Sequence, residues 1–414
     1  MATFSSNSSN LIRFKKESLT ISVLLIFVLI TSGYPLSSVP GNFCYHLLIL
    51  PVLILTLKRR NHFFKKNYST IFYLFFLSVT VFSFLINFNI GNLSTNLKFI
   101  LVLTFSYVFT NRFSFDQFSV FFIKMMKIIS VISLIGYIIL NLTNLQLPLS
   151  TFKNINDVEY YNGIIYFAIK SFSVWGNDGF KRNIGAFWEP GIFATYLLVA
   201  ITLELWKTGK STKLNLALFL ITLLTTKSTF AYLMIFPIFI SFLTINSVVS
   251  KKQYLLYLLI LSLIILVYMN LNLILYFLNQ LNPTIFGKLV SESVSFNERI
   301  DSPLTNILIF KNNFLFGAGL GNTENLFVLL THGSQTSTST YFLAAFGVSG
   351  VFYTISFVIG ILSFDKVNII SRITFLTIVL SQINKEPHIY FTATFIILFY
   401  FLKNIKLSNV YGSK

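Results

Sequence analysis

The chain has 414 residues, 55% of them hydrophobic and only 11% charged, with a formal net charge of +18. A soluble globular chain carries roughly 25% charged residues, so a water-soluble fold is excluded. The Lys and Arg residues lie between apolar runs and not on one face of a soluble domain, which excludes nucleic acid as partner.

The apolar residues come in long unbroken runs, as spanning helices require. β-Barrel strands would alternate over about ten residues. The sequence therefore predicts an all-α, polytopic transmembrane helical bundle of about twelve spans, one integral membrane domain over 1–414. Spans are expected near 19–36, 42–57, 68–90, 93–110, 118–142, 190–206, 214–226, 229–248, 253–276, 339–363, 370–384 and 389–402. The first run has no small-residue cleavage site and ends at Tyr34-Pro35, so no cleaved leader is expected. The lone Cys44 lies in an apolar run and supports neither an internal disulfide framework nor a CxxC metal site.

The stretch 214–248 is too long for one span and short for two, with polar Thr225 to Thr229 at its middle. One helix would bury Lys227 at mid-membrane at a cost of about 2.5–3.5 kcal/mol. A hairpin brings Lys227 to the surface, so two helices are expected. With that turn, one side receives about twice as many basic residues as the other. The positive-inside rule makes that side, with both termini, cytoplasmic.

Two long loops then fall outside, about 143–189 and about 277–338, each expected to contain short helices. Long loops on one side usually carry function. The first ends in Lys181-Arg182 and then Glu189-Pro190-Gly191. Pro190 suits the first turn of a helix, and the residue before a proline is extended, so Glu189 sits at the helix mouth. Lys181 and Arg182 make a cationic rim there; an ordinary basic loop end with a capping glutamate has the same local pattern.

In the second loop, Leu304, Ile307, Leu308, Phe314 and Leu315 suggest one face of an amphipathic helix lying on the membrane. Ile309 and Phe310 fall off that face. Arg299, upstream, has the planar fork that pairs with phosphate, or else pairs with Glu298 or Asp301. Gly317, Gly319 and Gly321 follow; such a run lets backbone N–H groups approach an anion, or is simply a connector. His332 titrates near neutrality and is a candidate general base. Glu386 and His388 lie on the same outer side and could join the site or cap the last helix. No HxxxH, HExxH or paired-Asp pattern points to a metal.

Arg182-x-x-Gly185, Glu189-Pro190-Gly191, the turn Thr226–Ser228, Arg299, the Gly317–Gly321 cluster, and Tyr341 with Gly347 and Gly350 follow in order on one side. In that arrangement, clear over about 180–350, the chain resembles the bacterial O-antigen polymerase and ligase superfamily, most closely Wzy-type polysaccharide polymerases. The resemblance implies glycosyl transfer at the periplasmic face of the inner membrane, without metal or other cofactor. Donor and acceptor would be undecaprenyl-diphosphate-linked glycans amid membrane lipids, with a chain-length regulator protein as a further partner.

On that reading Arg182, Arg299 and Lys181 bind the diphosphate, His332 and Glu189 are catalytic, and Gly319, Gly321 and Tyr341 contact substrate. Members of the family often have a His-Asn-like pair before the late helix; here Ser339 and Thr340 stand there, and His332 is seven residues upstream of Ser339. His332 is expected as base and Glu189 as positioning residue, because Arg182 beside it would lower its pKa. The ligase that moves finished chains onto lipid A–core uses the same donor. A lipid-oligosaccharide flippase would be expected to show short loops and internal repeats, which the sequence lacks.

Overall fold

A computed structural model of the protein describes residues 19–38, 47–57, 67–142, 150–153, 159–169, 182–207, 213–245, 294–331 and 335–405. The helices are α1 (Leu19–Ile30), α2 (Ile49–Leu57), α3 (Tyr68–Ile86), α4 (Leu93–Arg112), α5 (Phe115–Leu142), α6 (Pro190–Trp206), α7 (Lys213–Thr225) and α8 (Thr229–Ile245). After them come α9 (Val294–Asn312), α10 (Leu320–Thr331), α11 (Thr338–Phe346), α12 (Val351–Leu362), α13 (Ile369–Ile383) and α14 (Thr392–Asn404). The expected span at 253–276 lies outside the described residues.

Among the described residues, four helical stretches are long and apolar enough to cross a membrane: Tyr68–Ile86, Ile90–Arg112, Phe115–Leu140 and Thr338–Leu362. Six shorter apolar helices have 10–17 residues, below the roughly 20 that a full crossing needs. Such helices suggest a membrane-associated protein.

Local chemistry sets several helix starts. The Asn67 carboxamide accepts from Thr70 N at 2.9 Å, and Asn368 does the same for Ser371 N at 2.8 Å. Pro190 opens α6, where its missing N–H costs nothing. The turn between α7 and α8 falls at Thr226–Ser228, where two helices were expected, with Lys227 at φ +48°.

The core forms around two helices. Every residue of α6 from Pro190 to Trp206 is buried, and so is α14 from Thr392 to Leu402. A helix apolar on all sides belongs inside a bundle. α5, α7, α8 and α13 surround α6, while α3, α4 and α12 surround α14. Aromatic rings join the two groups: Trp206 meets Phe401 at 6.2 Å, and Tyr400 meets Phe118 of α5 at 5.2 Å. Between apolar helices in lipid, packing of this kind replaces the hydrophobic effect as the source of cohesion.

The first long loop departs from expectation. Its described part is a three-stranded antiparallel sheet and not short helices: β1 (Thr151–Lys153), β2 (Glu159–Gly163) and β3 (Tyr166–Ile169), in that order. Tyr160, Tyr161, Tyr166 and Phe167 favour strands. A two-residue turn at Ile164-Ile165 joins β2 to β3; Ile164 takes φ +65° and its N–H donates to the Asn162 carboxamide. The fold is therefore mostly helical, not all-α.

The described part of the second loop is helical as expected. Leu304, Ile307, Leu308, Phe314 and Leu315 are exposed, and Ile309 is buried against Ala318, Phe327 and Ala344. The expected span at 339–363 is broken by a 3-10 turn, Gly347–Gly350, between α11 and α12. Segments 314–319 and 344–348 there bond backbone to backbone: Ala318 N to Ala344 O (2.8 Å), Gly319 N to Ala345 O (3.0 Å) and Val348 N to Phe314 O (3.0 Å). Gly317 has φ +70°, and a Cβ there would lie 2.3 Å from the Ala345 carbonyl. Backbone cannot yield as a side-chain tip can. Gly317→Ala should lose about 2–4 kcal/mol of stability, read as a lower thermal melting point in detergent.

Candidate functional site

The mouth of α6 gathers the charged residues. Glu189 is extended (φ −137°, ψ 146°) ahead of Pro190, and its side chain makes no capping bond. The carboxyl instead shares a side-chain hydrogen bond with that of Glu386. Gly191 makes room: a Cβ there would lie 2.6 Å from Glu386 Oε1 and 3.0 Å from Lys385 Nζ. Lys385 Nζ is 3.7 Å from Glu386 Oε1 and donates to Ser228 Oγ at 3.4 Å.

Arg182 grips the α7–α8 turn, with Nε donating to Thr226 O (3.1 Å) and Nη2 to Lys227 O (3.0 Å). Those bonds use two of its five N–H groups. The loop sheet braces the approach to Glu189. Tyr160 OH donates to Trp188 O (3.1 Å), Phe167 N to Gly185 O (2.8 Å), and Trp188 N to Gly33 O (2.9 Å).

Burial holds the Glu189 carboxyl well above its ordinary pKa. The Glu386 charge and the hydrogen bond to it push the same way, while Lys385 and Arg182 oppose them. Arg182 does lower this pKa as expected, but desolvation and a like charge together outweigh the two cations, so the net shift is upward.

The segment Asn384–Tyr390 organises the rest. His388 is 2% exposed. Its N–H donates to Thr338 Oγ1 (2.8 Å), and its Nδ1 bonds Thr394 Oγ1 (2.9 Å). Burial, helped by the Lys385 charge, lowers its pKa to about 3, so the ring is neutral. His388 Nε2 and Gln382 Nε2 are buried without a hydrogen-bond partner among the described residues. Both residues line a cavity of about 20 Å³ together with Thr195 and Thr394, about the space one water needs.

Asn384 Oδ1 accepts from Ser337 Oγ (3.1 Å) and Ser339 N (3.3 Å). Ser337 N donates in turn to Ser302 Oγ of α9 (3.3 Å), and Asn306 of α9 donates to Thr340 Oγ1 (3.0 Å). On the other flank, Tyr390 OH (2.8 Å) and Tyr341 OH (3.3 Å) donate to Glu324 Oε1, and Lys98 Nζ lies 4.3 Å over the Tyr390 ring. Burial raises the Glu324 pKa against those two hydrogen bonds and the Lys98 charge.

Of the residues singled out in the sequence, Arg182, Glu189 and Glu386 come together, with His388 two residues from Glu386. Tyr341 joins the Glu324 cluster and also donates to Leu320 O (2.7 Å). The Gly319 amide is spent on a backbone carbonyl, and Gly321 packs on Asn92; both glycines serve close packing. Lys181 and His332 lie outside the described residues. Of Arg299 the structure gives its place on α9, one turn before Ser302. Lys385 and Asn384 were not foreseen as site residues; the only signal was their adjacency to Glu386. The chain matches no protein-family model and no curated protein.

The Glu189 shift has a sign. A folded-state pKa above the unfolded value stabilises the fold fully below the unfolded pKa, about 4.3, and that contribution is lost as pH rises through the folded value. Glu189→Gln keeps a neutral partner at every pH. Its melting point should gain on the wild type as pH rises above the unfolded pKa of about 4.3; parallel melting curves would refute the raised pKa.

Proposed function

We propose that the protein is a glycosyltransferase of the polymerase type, joining undecaprenyl-diphosphate-linked oligosaccharide units into O-antigen or a related surface polysaccharide. It works at the periplasmic face of the bacterial inner membrane, with both termini cytoplasmic and about twelve spans. The observation that carries the reading is the carboxyl pair of half-buried Glu189 and buried Glu386, set between Arg182 and Lys385 at the mouth of a buried helix. It joins the one group that must accept a proton to the charges that must receive an anion.

In the transfer, an acceptor hydroxyl attacks the anomeric carbon of the donor glycan. The bond from that carbon to the lipid diphosphate breaks, and the diphosphate leaves with the electron pair. Arg182 and Lys385, with Arg299 from α9, offset the charge that develops on it. The hydroxyl proton passes to the carboxyl pair. Two carboxyls in contact in a dry place hold at most one charge between them, so near neutrality the pair presents one base and one acid. The single negative charge of the pair is what accepts that proton, and Glu189 shares in it through its hydrogen bond to Glu386. Glu189 thus moves from positioning residue to member of the base, ahead of His332.

The test is a ladder assay with purified protein and lipid-diphosphate-linked repeat units. Glu386→Gln and Glu189→Gln should each lower turnover at least about 100-fold, the usual range for losing a general base, with donor still bound. Arg182→Ala should weaken donor binding as well, and Arg182→Lys should restore it only in part. His332→Ala should retain activity. Loss of turnover in His332→Ala with full activity in Glu189→Gln would return the base to His332.

A further inference from the structure

We infer that a pocket at the far end of α6 binds the headgroup of an anionic membrane phospholipid. The 17 residues of α6 span about 25 Å, so Trp206 and Lys207 lie a bundle length from Glu189. The pocket there, about 250 Å³ in volume, is lined by Phe115, Asp116, Trp206, Lys207 and Phe364, with Lys366 at its rim. This inference does not rest on the glycosyl-transfer reading.

The lining has two kinds of surface. Phe115 and Phe364 meet edge to face at 5.2 Å, and Trp206 stacks on Phe364 at 5.6 Å, giving an aromatic wall. The polar groups are mostly donors. Lys207 is exposed, and Lys366 keeps 52% of its side chain exposed. Trp206, only 9% exposed, contributes its ring to the wall, and its indole N–H is itself buried. An ammonium can donate but not accept. The lone acid, Asp116, lies 3.6 Å from Lys366 and is 76% exposed, a surface pair that constrains neither partner strongly.

A ligand rich in acceptor oxygens and continuous with an apolar stem fits both surfaces. The rim is also fixed in place: Arg372 donates to Leu362 O (2.6 Å) and Val367 O (2.9 Å), across the loop that carries Lys366. Lys403 donates to Thr110 O (2.7 Å) at the same end, adding positive field. The pocket opens where apolar helices end, the level of headgroups, and tryptophan is the residue expected there. Basic pockets between membrane helices hold acidic phospholipids by this chemistry.

The experiment is native mass spectrometry of the full chain released from vesicles of equal phosphatidylglycerol and phosphatidylcholine. Phosphatidylglycerol should be retained about tenfold over phosphatidylcholine, on the order expected for two lysines partly offset by one aspartate. Lys207→Gln with Lys366→Gln should bring that ratio close to one, and the double arginine variant should keep it. In a Trp175→Phe, Trp188→Phe background, brominated phosphatidylglycerol should quench Trp206 saturably and brominated phosphatidylcholine should not. Equal retention of the two lipids, or a preference indifferent to both lysines, overturns the site. Displacement of phosphatidylglycerol by millimolar inorganic phosphate overturns the lipid as occupant in favour of a free anion. If the tryptophan variants fail to fold, retention by the wild-type chain decides.

Discussion

A helix with no exposed face cannot end in lipid or open water without consequence, and α6 is such a helix. Because protein surrounds it from Pro190 to Trp206, the residue at its mouth enters a dry pocket built from other segments. Glu189 is therefore half-buried among side chains. Low dielectric makes each charge there costly unless another answers it. The raised pKa of Glu189, the Lys385–Glu386 pair and the grip of Arg182 on the α7–α8 turn are all responses to that burial.

The same constraint explains why the short motifs have the residues they have. Glu189-Pro190-Gly191 is an extended acid, a helix-starting proline, and a glycine whose missing side chain leaves room for Glu386. The turn at Thr226–Ser228 supplies carbonyls to Arg182 and a hydroxyl to Lys385. Two positions 157 residues apart, Lys385 and Ser228, are thereby joined at one carboxyl pair.

Hydropathy made most helices legible, since a long apolar run has few alternatives, and the Lys227 hairpin followed from the cost of burying an ammonium. The sheet at 151–169 was not legible as such. Its strands have three to five residues, too few for alternation to stand out, and they take shape by packing on the segment before Glu189. Within the site, Arg182 and Glu189 could be read from their place beside a proline at a helix start. The pKa of Glu189 could not, because its sign depends on Glu386, nearly two hundred positions away, and on how dry the pocket is. The glycine cluster stayed open for a related reason: a sequence shows that backbone can come close to something, but not whether that something is an anion or another stretch of backbone.

The backbone bonds between 314–319 and 344–348 bear on how this protein could move. A loop held by side-chain tips can flap by itself. Here Ala318 and Gly319 hang on the last carbonyls of α11, and Val348 on Phe314 O, so swinging α10 outward without α11 would strand several peptide groups at once. Any opening of this end of the bundle would have α10 and α11 travel as one lever, pivoting where Gly347 takes φ +62°. A displacement there would then be felt inside the bundle, at the foot of α12, and not only at its rim.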